Sequence, residues 1–95
     1  MDDGVRIRDG AVEWREIDGE IIGLDLRRSE YFALNHTAAR MWRRLLEGCS
    51  RRDLAADIAA AFAIDPGTAQ RDVDRFLEEL GKQDLIEPAA KPDAA

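Results

Sequence analysis

The hydrophobic pattern of this chain changes period at Asn35. Before it, apolar residues recur at every second position: Val5 and Ile7 beside Arg6 and Arg8, then Ile22, Leu24 and Leu26 beside Gly23 and Asp25. After it they recur at spacings of three and four, as on one face of a helix. A chain patterned this way has strands first and helices after. Each kind of element must bury its apolar side against the other, which is an α+β arrangement.

The strand region has clear punctuation. Asp9-Gly10 is a turn signal, and Asp18-Gly19 marks a tight hairpin turn. Val12, Trp14 and Ile17 lie between them, although Trp14 to Ile17 breaks strict alternation. Ile22, Leu24 and Leu26 predict a half-buried strand with one apolar face. Arg27 to Glu30 is a polar connection, and Tyr31 to Leu34 is a short aromatic strand.

Three helices are expected after it. Asn35 or Thr37 can cap the first, whose stripe is Ala38, Met41, Trp42, Leu45 and Leu46, and Gly48 ends it. Ser50 and Asp53 form a variant capping box ahead of the stripe Leu54, Ile58, Ala61 and Phe62. Asp65-Pro66 opens a third helix with stripe Ala69, Val73, Phe76, Leu77 and Leu80, ending near Asp84. Leu85 and Ile86 then fold back onto the core. The predicted fold is winged helix-turn-helix-like, an N-terminal three-stranded antiparallel sheet followed by three helices. The expected domain is residues 1–87, with 88–95 as a flexible tail.

Composition narrows the function. The 95 residues carry a formal net charge of −6, which argues against general affinity for nucleic acid or an anionic membrane. Met1 to Gly4 is acidic and polar, with no apolar signal region behind it, and no apolar run approaches a membrane span. Cys49 is the single cysteine, so no internal disulfide or cysteine-based metal motif is available. A cytoplasmic protein is expected.

Little of the sequence suggests catalysis. His36 is the one histidine, at a helix start and without a nucleophile pattern beside it; a solvent-facing role is expected. Cys49 lies in a loop with no partner pattern. The carboxylates are interleaved with arginines, as on a solvated helix surface. No glycine pattern fits a nucleotide. The chain is therefore expected to be no enzyme, without metal or cofactor. Two features remain. Arg40, Arg43, Arg44, Arg51 and Arg52 stand against only Glu47 and Asp53, which fits either a partner-docking patch or an ordinary soluble face. Tyr31 to Leu34 is apolar on both alternating faces: either a buried strand, or an edge strand able to accept another segment by backbone pairing.

The run from Gly23 to Trp42 (GLDLRRSEYFALNHTAARMW) resembles the PqqD family, the RiPP recognition elements that bind leader segments of ribosomally made, modified peptides. Asp72-Val73, Phe76-Leu77, Leu80 and Leu85-Ile86 are similar to the end of that family's third helix. The resemblance spans about Val12 to Glu87. It implies that a precursor's leader adds as a strand beside Tyr31, Phe32, Ala33 and Leu34. The peptide would lie against a helix offering Asp72, Val73, Arg75, Phe76, Glu79 and Leu80. It also implies a partner enzyme on another chain, such as a leader peptidase or a radical SAM protein.

Two rivals stand beside this reading. A DNA-binding winged helix needs a cationic reading helix, but Gly67 to Glu87 sets Arg71, Arg75 and Lys82 against Asp72, Asp74, Glu78, Glu79, Asp84 and Glu87. A structural accessory subunit would bind the enzyme and not the peptide.

Overall fold

The computed structural model describes residues 4–89. Its elements are β1 (Val5–Ile7), β2 (Val12–Ile17), β3 (Glu20–Asp25), β4 (Glu30–Leu34), α1 (His36–Glu47), α2 (Arg51–Phe62), α3 (Pro66–Lys82) and β5 (Ile86–Pro88). Strands β2, β3 and β4 form a three-stranded antiparallel sheet in that order. Strand β1 stays outside it and pairs with β5, Val5 opposite Pro88 and Ile7 opposite Ile86. Pro88 therefore belongs to a strand instead of a tail, and the Ala89 N–H donates to the Gly4 carbonyl at 2.9 Å. The rest of the expected tail lies outside the described residues.

Local chemistry explains the boundaries. Asp18 and Gly19 join β2 to β3 with φ of 52° and 82°, the paired positive angles that a two-residue hairpin of matching twist requires. His36 secures this turn, since its Nε2 donates to the Asp18 carbonyl at 3.0 Å. The Asn35 side chain accepts from the Ala38 N–H, Ser50 from Asp53, and Asp65 from Gly67 and Thr68. Each cap satisfies donors that would otherwise be unpaired and contributes about 1 kcal/mol. Gly48 closes α1 at φ 95°.

The core lies between the sheet and the helices. Trp42, Leu45, Leu54, Ile58, Val73 and Leu77 fill it, with Ile21 from the sheet and Leu85 from the returning chain. Two expected stripes shift. In α2 the buried residues are Leu54, Ala55 and Ile58, while Ala61 and Phe62 are exposed because the helix end projects past the core. In β3 the buried parity is Ile21, Gly23 and Asp25, so Ile22 and Leu24 look outward and Leu26 is exposed in the following turn. The inner parity is set by shape and polarity: Gly23 makes room for Phe32, and Asp25 turns its carboxylate inward onto the next turn. No described helix is long and apolar enough to cross a membrane.

Candidate functional site

Strand β4 is launched by a turn organised around Asp25. One Asp25 oxygen accepts the N–H groups of Arg27 at 3.0 Å and Arg28 at 3.2 Å. The Asp25 carbonyl accepts the Ser29 N–H at 2.7 Å, with Ser29 at φ 56°. The chain then runs antiparallel to β3, with Phe32 opposite Gly23 and Leu34 opposite Ile21.

Alternation splits the strand. Phe32 and Leu34 point inward and are half-buried against the core. The Phe32 ring lies 5.6 Å from that of Trp42, and Trp14 meets Trp42 edge-on at 6.3 Å. A Cβ at Gly23 would overlap the Phe32 ring, so the missing side chain is what lets β4 approach this closely. Tyr31 and Ala33 point outward, with Tyr31 77% exposed. Of the two alternatives for this strand, the structure selects the edge. Among the described residues β3 is the only strand paired with β4, which leaves its other margin unpaired. Strand β2 is the opposite edge, but it carries Glu13, Arg15 and Glu16, charges of the kind that block strand addition. Strand β4 carries only Glu30.

Helix α3 is the second wall that the family resemblance implies. Val73 and Leu80 belong to the core and have almost no exposed surface. Asp74 pairs with Arg51 at 3.1 Å, so that flank faces α2. Helical spacing puts Asp72, Phe76, Glu79 and Gln83 on the opposite flank, where Asp72, Phe76 and Gln83 are half-buried. Arg75 is exposed and points farther from the core. Thus only part of the expected helix set shares one face. The end of α3 is tied to the turn before β4: Arg27 bonds Asp84 at 2.6 Å, and Arg28 reaches the Lys82 carbonyl at 3.4 Å. Otherwise β4 packs on β3 and α1, and α3 on α2 and β5.

The arginine group does not form one free patch. Arg40 holds Asp57 through two bonds of 2.7 and 3.0 Å, Arg43 holds Glu16, and Arg51 holds Asp74. The bond from Arg40 pulls the Asp57 carboxyl below its ordinary value, and the same bond pushes the guanidinium of Arg40 up. Arg44 lies beside Cys49, while Arg52 is exposed. Burial pushes the Cys49 thiol up, away from the reactive thiolate.

Two surface cavities accompany these features. One of about 780 Å³ lies on the outer face of the sheet, lined by Ile17, Ile22, Leu24 and Tyr31 with Glu13 and Arg15. The other, about 280 Å³, lies under the β3–β4 turn beside Arg8, Asp25 and Asp84. Neither is lined by residues of both β4 and α3. A strand added at β4 would therefore build its own groove. Sequence reasoning missed the outer-face cluster, because it assigned the apolar parity of β3 to the core. It also missed the Arg27–Asp84 tie, which no local spacing announces.

The family model described as Coenzyme PQQ synthesis protein D (PqqD) matches residues 20–86. The chain belongs to the PqqD family. Among solved structures, this PqqD-family chain is similar to "TbiB1 in Complex with the TbiA(beta) Leader Peptide". The two share 34% identity and a TM-score of 0.78, over 90% of this chain and 99% of that one. It is also similar to "Lasso peptide synthetase B1 complexed with the leader peptide", with 30% identity and a TM-score of 0.74 over 88% of this chain and 98% of that one. No curated protein matches.

Proposed function

We propose that this chain binds the leader segment of a ribosomally made precursor peptide by strand addition at β4 and presents it to a separate modifying enzyme. One observation carries the reading: β4 has an unpaired, nearly uncharged margin, on a fold shared with two solved leader-peptide complexes. Backbone groups of Tyr31 to Leu34 would set the register. Phe32 and Phe76 would receive apolar side chains on the inner side, while Asp72 and Glu79 would select among polar ones. Val73 and Leu80 support this wall from the core.

The outer face of the sheet supports the presenting role. Ile17, Ile22 and Tyr31 are 51%, 40% and 77% exposed, next to half-buried Leu24, with Glu13, Arg15 and Glu20 at the margin. An apolar centre with a polar rim is the anatomy of a protein interface. A strand added to β4 would continue this face, so an enzyme docked there would meet domain and peptide together. The chain would carry no chemistry of its own and work in the cytoplasm, beside a leader peptidase or another modifying enzyme. Among the described residues no His, Cys, Asp or Glu group has metal-binding geometry.

The test is calorimetric titration of the purified chain with the leader peptide encoded nearest its own gene. Saturable one-to-one binding is expected. A chain that binds random duplex DNA at moderate salt and ignores every leader offered would overturn the proposal.

A further inference from the structure

The sheet that would carry the peptide and the helix that would cover it share one core, but their main packing partners differ. Strands β3 and β4 lean on α1, which β2 reaches through Trp14 and Glu16, whereas α3 leans on α2 and β5. The polar contacts that tie the two directly sit at one end. There Asp84 accepts from Arg27 at 2.6 Å and from Arg8 at 3.0 Å, and its carbonyl accepts the Arg8 Nε at 3.2 Å. Arg8 also reaches Glu87 at 3.2 Å and the Ile86 carbonyl at 3.2 Å, which fixes it to β5. Arg28 adds its bond to the Lys82 carbonyl. Asp84 itself is held at φ 60°, immediately after the α3 cap. The other ends of β4 and α3, at Leu34 and Pro66, have no polar bond between them.

We infer that Asp84 is a positioning residue: with Arg27 and Arg8 it forms a polar hinge that sets the separation of β4 from α3 and so the width offered to an added strand. The inference rests on the proposed peptide-binding reading. A lone exposed ion pair would be too weak for this, because solvent screens it. Here one carboxylate joins two arginines from two different connections, and each arginine is itself bonded or held in a turn. The bonds cross from the start of β4 to the end of α3, so releasing them loosens one wall against the other at this end without removing any core side chain. A strand added beside β4 would then have to fix that separation itself, and the ordering cost would appear as lost affinity.

The test compares Asp84→Asn with the wild-type chain. Asparagine tolerates a positive φ, so the turn survives while the ion pairs go. Arg27→Gln is the second variant, attacking the same bonds from the other side. In a Cys49→Ser background, spin labels at Ala33→Cys and Arg71→Cys report the distance from β4 to α3 without any ligand. The leader peptide from the titration above reports affinity. The expected result is a widened distance distribution in both variants and about a five- to tenfold loss of affinity. The urea midpoint should stay within the range of ordinary surface substitutions, which separates positioning from simple destabilisation. Unchanged distances with unchanged affinity would overturn the inference. A widened distribution in a chain whose wild type binds no leader would sustain the hinge and sink the peptide-binding reading instead.

Discussion

Two residues show how much a single position decides. Gly23 is the seat of Phe32, and a methyl group there collides with the ring. Gly23→Ala should cost about 1–3 kcal/mol through forced displacement of Phe32. The shift should appear in the urea midpoint and, in the same variant, as weaker leader binding, because β4 moves with its aromatic anchor. Asp57 decides acid behaviour at the α1–α2 contact. Its carboxyl lies below the ordinary 3.8 through its bond to Arg40. The folded state therefore binds that proton less readily than the unfolded chain. The contribution is complete above pH about 4 and fades as pH falls through the lowered value. With Arg40 partly exposed, the screened pair is worth about 0.5–1 kcal/mol. Asp57→Asn should lose that amount at pH 7, and its deficit against the wild type should shrink progressively as pH falls below about 4. Thermal melts of both chains across that range check this. Neither role was legible in sequence: a glycine in a strand and an aspartate on a helix have many uses, and only the partner in space selects one.

At the scale of elements, capping and turn chemistry were readable because they are local. Asn35, Ser50, Asp65 and Asp18-Gly19 act where their spacing placed them. The facing of β3 was not readable, since period-two alternation gives the parity of a strand and not which parity turns inward. A glycine and an aspartate took the inner side, and three apolar residues were left on the surface. That inversion leaves an apolar outer face on the sheet, apart from the proposed peptide side. Phe76→Ala removes an apolar wall from the peptide side and should weaken leader binding by about tenfold, with about 1–2 kcal/mol of stability lost from a half-buried ring. Ile22→Asp charges the outer face instead. It should leave leader affinity within twofold while abolishing coupling to the partner enzyme, read as leader processing in the reconstituted pair. Equal effects of both variants on leader affinity would merge the two surfaces into one and contradict the assignment.

At the scale of the whole molecule, strand-then-helix order and the family resemblance anticipated the architecture, which the matching structures share. The pairing of β1 with β5 was hidden because it joins the first and last described segments, and no periodicity spans that distance. The polar tie between the sheet and the last helix was hidden for a similar reason. Sheet and last helix meet through bonds between Arg8, Arg27, Arg28 and the end of α3, residues that look in sequence like ordinary surface charge. The molecule is thus a small core with one margin of β4 left unpaired among the described residues. The most direct measurement is residue-resolved amide hydrogen exchange with and without leader peptide. Outward amides between Glu30 and Asn35 should slow markedly when the peptide is present, with those of β2 unaltered. Exchange in β4 that stays the same at saturating peptide, or slowing confined to β2, would contradict strand addition at this edge.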